Sequence, residues 1–238
     1  MTITEQMTVG DLVAADFRAA AVLNRFGIDF CCGGRRTLAD ACEARKVDAT
    51  RVLTEVGAAC ASSAEPAPRF ADWEPQTLVA YIVGNHHTYV RRTLPMLTTY
   101  LAKLAATHGK SHPELVEVEQ LWEQVASEMF AHMAKEEQVL FPHIVALADA
   151  APRGEAVAAP PFRSIEFPIR MMEEEHESAG AVMARIRELT RDYTPPADGC
   201  MTYRVCFQEL LAFEQDLHAH VHLENNILFP KARALANA

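Results

Sequence analysis

Two stretches of this chain carry the same residues in the same order. His132, Glu136, Leu140, Phe141 and Pro142 recur at identical spacing as His220, Glu224, Leu228, Phe229 and Pro230. A His and a Glu four positions apart stand one above the other on one helical face, so a single pair can offer an imidazole nitrogen and a carboxylate oxygen to the same cation. Both pairs continue an apolar stripe. Leu115, Val118, Leu121, Val125 and Met129 lead to His132 and Glu136, then to Val139 and His143; Cys206, Leu210, Phe213 and Leu217 lead to His220, Glu224 and Ile227. Steps of three and four turn these groups toward a helical core. A carboxylate there is costly unless it is paired, neutralised or metal-bound, and its duplication points to metal.

Elements long enough to place such groups follow from the same periodicity. Four helical patterns run over about 75–106, 113–149, 166–192 and 199–236, separated by His108 to Pro113, by Ala150 through Pro161 and by Thr194 to Gly199. Helices of about 25 residues, rising 1.5 Å per residue, suit an up-down-up-down bundle with ligands meeting inside it. The third pattern turns His176 inward with Ile169, Met172, Ala179, Met183 and Ile186. The first favours His87, with Val83, Val90, Leu94, Leu97 and Leu101, and leaves His86 as the competing choice. Four histidines and two glutamates could hold two ions, each with an open position; mixed imidazole and carboxylate donors suit iron, with manganese or zinc as alternatives. Glu128 and Glu175 either steady the ligands and open a way out for an ion, or are exposed surface charges. His218 and His222 fall on the far side of the helix from His220 and are expected to be solvated. The closing Leu-Phe-Pro is expected to pack the bundle end, with proline disturbing the helix at Phe141 and Phe229.

The amino-terminal fifth reads as several short helices. Gly27 ends one apolar pattern, Thr37 opens another as a cap, and Asp48 caps a third running through Cys60. Between them lies Asp29-Phe30-Cys31-Cys32-Gly33-Gly34-Arg35-Arg36. Neighbouring arginines and a helix start would favour thiolate at Cys31 and Cys32, hence redox or metal-transfer chemistry; the alternative is a cysteine pair that merely packs a tight turn. Cys42, Cys60, Cys200 and Cys206 each sit singly in helical patterns and are expected to pack. Residues 1–62 are expected to form a small helical domain, 63–75 a proline-rich linker and 76–238 the bundle, which makes the fold class all-α.

Half of the 238 residues are hydrophobic, and the formal net charge is −10. That balance argues against nucleic acid or an anionic membrane surface as the main partner. The sequence shows neither a secretory signal nor an apolar run of about 18 residues, so a cytoplasmic location with reduced cysteines is expected.

At the Asp29-Phe30-Cys31-Cys32-Gly33-Gly34 stretch and the doubled His-x-x-x-Glu motif, the chain resembles the repair-of-iron-centres family over nearly its whole length: a small amino-terminal domain before a hemerythrin-like bundle. Carried over by position, the resemblance implies iron ligands at His87, His132, Glu136, His176, His220 and Glu224, and a functional pair at Cys31 and Cys32. It further implies two iron ions bridged by oxo or hydroxo, and repair of iron–sulfur clusters damaged by nitrosative or oxidative stress through iron donation. Damaged iron–sulfur proteins would be the partners, with nitric oxide or oxygen as small molecules and a homodimer as the assembly. Binding of nitric oxide or its reduction to nitrous oxide at the two irons is the alternative. Oxygen-carrying hemerythrins have a further histidine and carboxylate where this chain has Gly180 and Asn225, which speaks against oxygen carriage.

Overall fold

A computed structural model describes residues 3–61, 68–155, 157 and 162–237. The linker positions 63–67 and the Pro160-Pro161 break lie outside the described residues. The described chain is all-α. The short helices are α1 (Val9–Ala15), α2 (Ala19–Arg25), α3 (Leu38–Arg45) and α4 (Ala49–Ala61). The long rods are α5 (Pro75–Tyr81) running into α6 (Thr88–His108), α7 (Glu114–Lys135) into α8 (Phe141–Ala150), α9 (Glu166–Leu189), and α10 (Met201–Leu223) into α11 (Phe229–Ala236). Two compact units result: Met1–Ala80 with His143–Glu166 and His218–Ala238, and Tyr81–Pro142 with Phe167–Leu217.

In the first unit, local chemistry sets the helix ends. Thr8 and Thr37 accept from the backbone N–H of Asp11 and Asp40, each at 3.1 Å, and Gly27 turns left-handed at φ 65° after α2. Such caps satisfy otherwise orphaned N–H groups. The apolar pattern expected to run unbroken to Gly27 is interrupted, because Asp16 leaves helical geometry and clamps Arg18 through its side chain at 2.6 Å. Val9 and Gly10 donate to the carbonyls of Arg36 and Gly34, both at 2.9 Å, stitching α1 to the glycine-rich loop.

In the second unit, α6, α7, α9 and α10 up to Leu217 form a helical bundle. Buried Trp122 donates its indole N–H to Thr98 Oγ1 at 3.0 Å and sets its edge against Phe213 with ring centres 4.9 Å apart, tying α7 to α6 and α10. Arg185 reaches Glu117 at 2.9 Å, and Arg187 binds the buried carboxylate of Glu214, tying α9 to α7 and α10. That second pairing explains how an acidic side chain survives inside the bundle. Helix α9 stops at Leu189, short of the expected 192, because Arg191, Asp192 and Tyr193 all take left-handed backbone.

Where rods continue, a π-helical turn intervenes: Ile82–His87, Glu136–Leu140 and Glu224–Leu228. Phe141 N–H bonds the carbonyl of Glu136, and Phe229 N–H that of Glu224, five residues back in each case. Proline cannot donate, and its ring collides with the carbonyl four residues earlier, so a turn widened by one residue accommodates Pro142 and Pro230. The widening also changes which side chains face the core. Val139, expected on the buried stripe, is 38 % exposed, while Leu140 is buried in its place.

Candidate metal centre

In the second unit, His87 from the widened turn before α6, His132 at the end of α7, Glu136 one turn later and His176 from α9 come together, all of them buried. His132 Nε2 lies 3.3 Å from Glu136 Oε2 and 3.0 Å from His176 Nε2; His87 Nε2 lies 3.4 Å from Glu136 Oε2. Donors bound to one ion at about 2.1 Å and a right angle apart are themselves separated by about 3.0 Å, the scale seen here.

Protonation is fixed from outside. His132 Nδ1–H donates to Glu175 Oε2 at 2.9 Å, and Lys135 holds the other oxygen of that carboxylate. His87 Nδ1–H donates to Glu137 Oε1 at 2.6 Å, with Arg91 on the same oxygen at 2.8 Å. With the protons on Nδ1, both rings turn Nε2 lone pairs toward an acidic oxygen, a repulsive arrangement that a cation relieves. The hydrogen bond from His132 holds Glu175 down at about 2, against partial burial and with help from Lys135. For Glu137 burial works the other way, but bonds from His87 and Arg91 outweigh it and keep the carboxyl below its usual range. Sequence reading missed Glu137. Its signal was present in Arg91, one turn after His87, and in a second acid directly after Glu136. Glu128 does not join this set: it is exposed and takes the amide of Gln124 at 2.9 Å. His86 turns instead to Asp216, at 2.9 Å.

The first unit carries the other copy. His220 Nε2 and Glu224 Oε1 are 2.9 Å apart, and both residues are fully buried. His222, expected in solvent, is also fully buried. The amino-terminal segment covers it, with Phe30 presenting its ring edge at 5.6 Å between centres and Phe17 at 6.2 Å, while Asn226 Nδ2 lies 3.2 Å from Nδ1. Burial drives its pKa down to about 4, with a backbone contact at Phe30 opposing, and Nε2 has no hydrogen-bond partner among the described residues. His218 keeps partial exposure and bonds Asn24 at 3.1 Å.

Asp29 organises the cysteine loop. Its carboxylate accepts the backbone N–H of Cys31, Cys32 and Gly33 at 2.9 to 3.0 Å, and the Cys31 thiol at 3.1 Å. The three side chains each offer a ligand atom, all within 4.8 Å of one another. Of the two readings open for Cys31, its surroundings oppose thiolate: its bond to Cys32, its burial and the negative charge of Asp29 push the thiol well above its ordinary value, while Arg35 and Arg36 are exposed. Cys32 is the partly exposed member of the pair.

Known proteins match this chain over nearly its whole length. ScdA_N, a domain of unknown function, matches residues 5–59, and the Hemerythrin HHE cation binding domain matches residues 79–232. The iron-sulfur cluster repair protein ScdA of Staphylococcus haemolyticus is 32% identical over 229 residues, covering 96% of this chain and 99% of that protein. The iron-sulfur cluster repair protein YtfE of Musicola paradisiaca is 34% identical over 230 residues, with 95% and 96% covered. No helix among the described residues is long and apolar enough to cross a membrane. With both domain families matched in order and relatives aligned nearly end to end, the chain belongs to the ScdA/YtfE family of hemerythrin HHE proteins.

Proposed function

We propose that this protein repairs iron–sulfur clusters damaged by nitrosative or oxidative stress, by storing iron and giving it to the damaged cluster. His87, His132, Glu136, His176, His220 and Glu224 would hold a pair of bridged iron ions, with both glutamates shared. The observation that carries this reading is the buried convergence of His132 Nε2, His176 Nε2 and Glu136 Oε2 at 3.0 to 3.3 Å, with His132 locked by Glu175 in its metal-binding tautomer. The buried repeat at His220 and Glu224 supports it, as do relatives named iron-sulfur cluster repair proteins. Bound there, iron would supply a redox-active and exchangeable metal store.

The chain's own groups set how that store is kept. Glu175 and Glu137 hold the Nδ1 protons and orient the rings; Lys135 and Arg91 keep both carboxylates charged. Cys32, partly exposed beside Asp29, would receive iron, with Cys31 gaining ligand character once its proton leaves. Residues 1–62 form the domain that bears this pair, 63–75 the linker and 76–238 the iron-holding domain, in a cytoplasmic protein that associates as a homodimer.

Protein loaded with 57Fe and mixed with a nitric oxide-damaged [4Fe–4S] protein tests the reading. Recovery of the cluster with 57Fe in it, and matching loss from the donor, is the expected result. Recovery with the 57Fe retained would contradict iron donation, and nitrous oxide evolved from the reduced protein would favour chemistry on nitric oxide.

A further inference from the structure

Asn226 occupies an unusual position. It lies two residues after Glu224, inside the widened turn whose first carbonyl belongs to that glutamate. Its Nδ2 donates to the backbone carbonyls of Phe30 at 3.2 Å and Cys31 at 3.0 Å, a pair of acceptors that demands the amide nitrogen on that side. Its Oδ1 fills a notch floored by two glycines. A Cβ on Gly34 would stand 2.2 Å from Oδ1 and one on Gly10 2.7 Å, so neither position admits a side chain while Asn226 keeps its place. Gly10 N–H in turn bonds the Gly34 carbonyl at 2.9 Å, which holds the two walls of the notch together.

We propose that Asn226 is a positioning residue that couples the Cys31–Cys32 loop to the metal-binding carboxylate Glu224, so that iron binding and thiol accessibility depend on one another. The Cys31 carbonyl belongs to the peptide joining the two cysteines, so a backbone movement of the loop that rotates this peptide to expose a sulfur strains its bond to Asn226. Glu224 and Asn226 share one widened turn, so a rotation that brings Glu224 onto or off an ion carries Asn226 with it. A coupling between two sites is reciprocal, so a loop that yields when iron leaves also loosens iron when it moves. This rests on the reading of Glu224 as an iron ligand, and the iron content of the protein checks that reading separately.

The test uses the full chain with Cys60→Ser and Cys200→Ser, which leaves Cys32 as the partly exposed thiol beside buried Cys31, Cys42 and Cys206. Reaction of Cys32 with an aromatic disulfide reagent is timed with iron bound and after chelation. The rates should differ at least about fivefold, the lower end of typical coupling between sites. Asn226→Ala should bring them within about twofold while helicity is kept, and Gly34→Ala, which evicts Asn226 without touching a ligand, should do the same. The ratio separates coupling from a merely structural role, which would lower stability and leave it unchanged. Should Asn226→Ala fail to hold iron, Gly34→Ala decides by the same ratio. Equal rates in the iron-loaded and iron-free parent, or a full ratio retained in the variants, would overturn the proposal. A parent that binds no iron at all would instead remove the reading beneath it.

Discussion

The two His-x-x-x-Glu copies are alike in sequence and unlike in surroundings. Around His132 and Glu136 the supporting groups are charged: Glu175 with Lys135, and Glu137 with Arg91 on the neighbouring His87. In the second copy the groups seen next to the motif gather on His222, two residues after His220, and are uncharged: Phe30, Phe17 and the amide of Asn226 around a neutral imidazole. One copy is steadied by carboxylates that fix a ring tautomer, the other by packing of the amino-terminal segment. A repeated motif therefore specifies which atoms meet, while the reach and strength of the hold come from whatever chain lies outside it.

That contrast can be broken by substitution. The largest effect is expected from Phe30→Ala, which removes a buried aromatic ring from the neutral copy and should cost about 3–5 kcal/mol in denaturant unfolding; a cost no greater than Glu175→Gln would erase the distinction. Acid should separate the copies next. His222 has its pKa lowered from 6.5 to about 4, so its stabilising neutral form is complete above pH 6.5 and the contribution declines as pH falls toward 4, by about 3 kcal/mol in all. Glu175 is lowered from 4.5 to about 2, so its contribution is complete above pH 4.5 and lost only as pH falls toward 2. Iron-free wild type compared with His222→Phe should thus differ in pH dependence between 6.5 and 4, and superimposable curves would count against the buried neutral ring. Glu175→Gln and Glu137→Gln should each weaken iron binding about 10–100-fold, measured by competition with a chelator, with little change in unfolding. The smallest effect belongs to Glu128→Gln, which should leave iron affinity untouched and stability within about 0.5 kcal/mol, as expected at an exposed position.

The rods and their inward faces were legible because burial over many turns leaves a period that single residues cannot hide. That period favoured His87 and left His86 open, and it is His87 that reaches Glu136. The features that stayed hidden depended on events the period does not encode. A widened turn moved Val139 outward and Leu140 inward, and the proline that calls for it was visible only as a disturbance. His222 was assigned to water because its helix face was judged alone, whereas Phe30, almost two hundred positions earlier, covers it. Thiolate at Cys31, one of two readings open from the sequence, leaned on neighbouring arginines, but those side chains are exposed and Asp29 is the charge that touches the sulfur. Glu137 escaped notice because its role lies in the imidazole it braces.

Iron content and optical absorption of the wild type, His132→Ala and Glu224→Ala test the central claim most directly, since one variant breaks each copy. The account predicts two irons per chain with a bridged-iron absorption in the wild type, and loss of that absorption in both variants. Full iron and an unchanged spectrum in either variant would show that the two copies do not serve one centre.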